Sequence, residues 1–137
     1  MSAKCDYCKC LSDVSNDLVD KQENTAAFAG DDVYLRCSSK ATSNLAWYNN
    51  SCVVNNNCGS NLNLYTIFNG TAMITSDSRY QIISNDSNGL YSRTLVIRSA
   101  RLTDSSNYVC QDDELHSSTA KLVIIGQQNL DFLLFLE

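Results

Sequence analysis

From residue 32 to residue 37 the chain alternates, with Val33, Leu35 and Cys37 on one face and Tyr34 and Arg36 on the other. A period of two marks a strand, because successive side chains leave opposite faces of a pleated backbone. Residues 44–48 repeat the pattern, Leu45 and Trp47 pointing one way. The same reading predicts strands over 62–68, 71–75, 80–84, 91–98, 107–112 and 120–125, with a short edge strand at Leu18–Val19. Turn-forming clusters separate them: Asn69-Gly70, Ser76-Asp77-Ser78 and the run 85–89. No window of a dozen residues carries an apolar stripe at helical spacing with a cap at each end. Many short strands joined by polar turns predict an all-β protein, an antiparallel sandwich or a barrel.

The 137 residues suggest one domain with some surplus at the ends. Residues 1–22 read as a cysteine-bearing amino-terminal extension that can include a first strand, 23–126 as the domain, and 127–137 as a tail, either a linker or a cloning remnant. The tail holds an apolar run, Leu130-Asp131-Phe132-Leu133-Leu134-Phe135-Leu136, too short to cross a bilayer. Membrane attachment would need segments beyond this sequence. The opening MSAKCDYCKC lacks the apolar stretch of a secretion leader, so a secreted protein would be represented by its mature form. A net charge of -5 with ten scattered basic residues argues against nucleic acid, which needs clustered Lys and Arg.

Seven cysteines change the picture more. In the cytosol they would suggest metal or redox chemistry; outside the cell they suggest disulfides. Asn49-Asn50-Ser51, Asn69-Gly70-Thr71 and Asn85-Asp86-Ser87 each match the acceptor pattern for N-linked glycans. Cysteines and acceptor motifs together favour an extracellular protein, secreted or on a cell surface.

One set of positions is more specific. Cys37 and Cys110 both lie in alternating segments, 73 residues apart; Trp47 follows the first by ten, and Tyr108 precedes the second by two. Around them stand Gly30-Asp31-Asp32-Val33-x-Leu35-x-Cys37, Leu45-x-Trp47-Tyr48, Ser78-Arg79-Tyr80, Leu95-x-Ile97 and Leu102-x-Asp104-x-x-x-Tyr108-x-Cys110. In these pieces residues 24–125 resemble the immunoglobulin superfamily, its variable-type domains in particular. The resemblance implies a sandwich of two antiparallel sheets bridged by Cys37 and Cys110. Trp47, Tyr108, Leu35 and Leu95 would then lie in the core, and Arg79 would pair with Asp104. It also implies a tyrosine corner, in which the Tyr108 hydroxyl bonds backbone near Asp104. The interval leaves room for two extra strands, C′ and C″, near residues 62–75. The glycine-x-glycine bulge of antigen-receptor domains is missing, since residues 117–124 contain no glycine. That departure points away from antibodies and T-cell receptors, toward a cell-surface receptor, an adhesion protein or an invertebrate immune-type molecule.

Candidate chemistry divides two ways. Cys5, Cys8 and Cys10 have a spacing that can share a zinc ion, but in an oxidised protein they pair with each other, with Cys52 or Cys58, or with another chain. The simplest local pairing is Cys52 with Cys58, which leaves an odd cysteine. His116 stands among Asp112, Asp113, Glu114 and Ser117 and reads as an exposed loop residue more readily than as the base of a Cys-His or Ser-His pair. No phosphate-cradling glycine loop and no calcium-loop pattern is present. The expectation is therefore no enzyme, no cofactor and no metal, but recognition of a protein, itself included. The binding surface would be the outer face of strands C, C′, F and G, with Tyr48, Tyr65, Ile67, Phe68 and Gln111 as candidates beside Ala46 and Val109. A metal-binding or catalytic module, and a structural spacer domain, are the competing readings.

Overall fold

The computed structural model describes residues 18–19, 24–49, 66–114 and 116–126. Ten strands occupy most of them: β1 (Leu18–Val19), β2 (Thr25–Phe28), β3 (Val33–Leu35), β4 (Ser38–Ser39), β5 (Ala46–Asn49), β6 (Thr66–Phe68), β7 (Tyr80–Ser87), β8 (Leu90–Ile97), β9 (Ser106–Gln111) and β10 (Ser117–Ile125). A 3₁₀ turn covers Leu102–Asp104. Two sheets form. One runs β1-β4-β8-β3 with β7 also paired to β8, and the other runs β2-β10-β9-β5-β6.

Strands β3 and β4 are one strand in two pieces. Both pair with β8 in a single register, from Val33↔Ile97 through Ser39↔Tyr91, and the Arg93 N–H donates to the Cys37 carbonyl between them. Strands β7 and β8 make a long hairpin that closes at Ser87↔Leu90. Its two loop residues, Asn88 and Gly89, both have positive φ, 54° and 74°. That is the mirror-image turn whose twist matches the strands, and Asn-Gly is its favoured sequence. The strand therefore runs through Asn85, Asp86 and Ser87, which composition alone assigns to a turn.

Alternation places the core. Leu35, Leu45, Leu95, Ile97 and Tyr108 are fully buried, with Trp47, Cys110 and Leu122 at 1% exposure, and they form one cluster with Val33, Ile67, Phe68 and Ile124. Leu18 belongs to that cluster, so the packed domain includes β1, ahead of residue 23. Two strands escape the periodicity. Thr25-Ala26-Ala27-Phe28 becomes a strand by pairing parallel with β10, and Ser38-Ser39 by continuing the register on β8.

Residues 71–75 are not a strand. The Asn69 side-chain oxygen accepts hydrogen bonds from the backbone N–H groups of Thr71 and Ala72, folding the segment into a turn whose one ladder contact is the bridge Phe68↔Met73. A side-chain acceptor that captures two N–H groups outcompetes a strand for them. No C″ strand thus stands at 71–75.

Candidate recognition surface

The bridge between the sheets is Cys37–Cys110, with an S–S distance of 2.04 Å. The Trp47 indole lies in the same interior, its Nε1 donating to the Arg93 carbonyl at 2.9 Å, so the ring ties β5 to the opposite sheet. The Tyr108 hydroxyl donates to the Asp104 carbonyl at 2.6 Å, joining β9 to the 3₁₀ turn before it. Burial, followed by the nearby Tyr80 hydroxyl and the Asp104 charge, drives the Tyr108 phenol far above its ordinary range, so it remains a donor.

Below the sheets Arg79 meets Asp104 in two parallel bonds, Nη1 to Oδ2 at 2.8 Å and Nη2 to Oδ1 at 3.1 Å. Asp104 also accepts from the Arg101 N–H at 2.7 Å and the Tyr80 hydroxyl at 3.3 Å. Burial acts to raise the Asp104 carboxyl, but the Arg79 and Arg101 hydrogen bonds outweigh it and hold the group below the usual carboxylate range. Arg79 is raised, first by its bond to Asp104. Such a planar fork suits a carboxylate in a way that a lysine does not.

These features hold the fold; the surface they position is the outer face of the β2-β10-β9-β5-β6 sheet. Since Trp47, Tyr108 and Cys110 point inward, Ala46, Tyr48, Val109 and Gln111 point outward. The ladder sets Tyr48 beside Val109 and Val109 beside Thr119 in one cross-strand row. Val109 is only 8% exposed, though it lies outside the core cluster, while Tyr48 and Gln111 are half-buried. Along β10 the outward residues are Ser117, Thr119, Lys121, Val123 and Ile125, all exposed, with Phe28 of β2 beside Ile125. Among the outward side chains of the described strands on this face, Lys121 alone is charged. The outer side of the other sheet differs, carrying Asp32, Arg36 and Arg98.

Ile67 and Phe68 are not part of that surface. They are buried, at 3% and 7% exposure, within the core cluster. The cause is a register shift: Trp47 pairs with Phe68 but Tyr48 pairs with Thr66, so Ile67 is an extra residue on β6. A bulge of this kind breaks the strict alternation and turns two consecutive side chains inward. Tyr65 lies outside the described residues, as do Cys5, Cys8, Cys10, Cys52 and Cys58.

At one end of the face the β9–β10 loop is braced from within. Asp112, 4% exposed, accepts from the N–H groups of Glu114 and His116 through Oδ1, and its Oδ2 lies 2.7 Å from His116 Nδ1. His116 is accordingly not an exposed loop histidine; its side chain is 12% exposed. Asp113 reaches the β4–β5 loop through long contacts to Thr42 and Asn44, 3.5 and 3.4 Å. Asn44 in turn crowds Gly70, where an added Cβ would lie 2.4 Å from its Oδ1. Three connecting segments therefore meet around Asn44. An aspartate opening a tight loop is the only sequence signal for this arrangement. No group of three His, Cys, Asp or Glu among the described residues is placed to hold a metal ion.

No family model matches the sequence, and no curated protein matches it. Solved structures do. A chain of the crystal structure of Dpr11 IG1 bound to DIP-gamma superposes with a TM-score of 0.61 at 16% identity over 80% of this chain, which spans 50% of that one. The RIG-5 IG1 homodimer gives 0.60 at 15% identity, covering 77% of this chain and 93% of that one. The first immunoglobulin domain of the mouse polymeric immunoglobulin receptor gives 0.59 at 16% identity, covering 80% and 94%. The fold is that of an immunoglobulin domain, an all-β sandwich with the bridging disulfide. Within that class it is of the variable type, with β6 extending the sheet as C′ and β2 pairing parallel to β10. Among the described residues no helix is long and apolar enough to cross a membrane.

Proposed function

We propose that this domain is an extracellular recognition module that binds another protein, and performs no catalysis, through the outer face of the β2-β10-β9-β5-β6 sheet. The observation that carries the reading is the near absence of charge on that face. Depletion of charge at the centre of a surface, with aromatic and aliphatic contact area, is the compositional mark of protein interfaces. The Tyr48–Val109–Thr119 row supplies such a centre, and the braced loop at Asp112 keeps its upper edge in one shape at little entropic cost on binding. The disulfide suits an oxidising compartment outside the cytosol. Two of the similar structures, by their names, are an immunoglobulin domain bound to another and a homodimer, which supports a partner of the same fold, a second copy included.

A panel of immunoglobulin-domain ectodomains, this one included, tests the proposal. Thr119→Arg places a charge at the exposed end of the row; Ile83→Arg places one on the outer side of the other sheet. The expected result is a partner whose affinity falls at least tenfold with Thr119→Arg and is unchanged with Ile83→Arg, both variants melting like the parent. Equal loss from both, or loss from Ile83→Arg alone, would place the interface elsewhere.

A further inference from the structure

The structure treats the three glycan acceptor motifs differently. Asn49 closes β5 on the same face as Trp47, opposite Tyr108 in the ladder. It is half-buried, and its carboxamide oxygen accepts a hydrogen bond from the Ser106 hydroxyl across the sheet. An oligosaccharide there would have to leave between the sheets. Asn69 is exposed in the turn after β6. Its Oδ1 accepts from the Thr71 N–H at 3.1 Å, the Thr71 hydroxyl at 3.1 Å and the Ala72 N–H at 2.9 Å. Three donors on the oxygen fix which way the amide faces, and the nitrogen on the opposite side of the carboxamide is left toward solvent. Asn85 is exposed on β7, opposite Ser92, on the side of its sheet that faces away from the core.

We propose that Asn69 and Asn85 carry N-linked oligosaccharide and that Asn49 does not. The donor is an oligosaccharide joined to a lipid diphosphate. Transfer forms a bond from the asparagine Nδ2 to the anomeric carbon, breaks that carbon's bond to the diphosphate oxygen, and releases a proton from the carboxamide and the lipid diphosphate as leaving group. The placement at Asn85 has a physical consequence. Among the described residues β7 pairs on one side only, with β8, through eight consecutive registered residues. It contains no proline and no lysine, and its one charged residue, Asp86, is held by Arg93. Such an edge is a template for pairing with another chain unless something covers it. A glycan on Asn85 covers it from the sheet opposite the proposed interface.

The test is a site map of the full chain expressed behind a secretion leader in eukaryotic cells, taken from both the secreted and the cell-retained protein. Enzymatic release of N-glycans in heavy-oxygen water converts each occupied asparagine to a labelled aspartate, which peptide mass spectrometry reads. Label is expected at residues 69 and 85 and not at 49. Asn69→Gln and Asn85→Gln should each remove one glycan from the intact mass, and Asn49→Gln should remove none. Label at Asn49, or its absence at either other site, overturns the assignment. The map needs no binding partner, so its outcome is independent of where the recognition surface lies.

Discussion

Arg79 and Asp104 stand 25 residues apart in sequence and meet with side-chain exposures of 15% and 6%. Their value lies in what removal of one leaves behind. Asp104→Ala takes the bidentate partner from an enclosed guanidinium that keeps its bond to Asp77, and should destabilise by about 2 kcal/mol, within the range for a lost hydrogen bond between charged groups. Arg79→Lys keeps the charge but loses the second bond, and should recover only part of the stability. Chemical denaturation of the two variants and their double mutant checks both, with coupling expected in the cycle. The pH dependence follows in sign. The Asp104 carboxyl titrates below its ordinary 3.8 when folded. Its contribution is thus fully present above about pH 4 and is lost as pH falls through the lower folded value. The gap in melting temperature between the parent and Asp104→Asn should narrow on acidification below about pH 4; a gap that widened would contradict the pairing.

Among the elements, the β7–β8 hairpin gives the sharpest local test. Gly89 sits at φ 74°, a region that costs an L-residue about 1–2 kcal/mol. Gly89→Val should therefore destabilise by about that amount or somewhat more, because a β-branched side chain is the least tolerant there, whereas Asn88→Gly should be close to neutral. Thermal melts of the two variants decide it. Elements also show where sequence patterns carry information. Leu35, Cys37, Leu45, Trp47, Tyr108 and Cys110 were legible because alternation survives wherever one face is buried and the other wet. Ser38-Ser39 and Thr25–Phe28 were not, since their strand character comes from neighbours distant in sequence. Residues 71–75 misread for the opposite reason: the short apolar run Ala72-Met73-Ile74 between threonines suits a strand, but the Asn69 side-chain oxygen draws the segment into a turn. At Ile67 and Phe68 a single inserted residue reversed which side chains face water, and a bulge leaves no mark in composition.

For the whole molecule, the proposed function divides the labour between the two sheets. Among the described residues, one is charged on its outer side, has β7 at its edge and exposes Asn85; the other has a nearly neutral outer face and a braced loop at its end. The brace was illegible in sequence, because Asp112 and His116 read as a solvated acidic loop until the hairpin buries the carboxylate. Removing the Cys37–Cys110 bridge that joins the sheets should cost about 2–5 kcal/mol, enough to threaten folding of a domain this size. Amide hydrogen exchange of the domain, free and in complex with the tightest binder from the ectodomain panel, tests the division most directly. The account predicts slowed exchange in β5, β9, β10 and the loop at Asp112, with β3, β7 and β8 unchanged. Protection concentrated in β7 and β8, with the β9–β10 face exchanging as in the free protein, would contradict it.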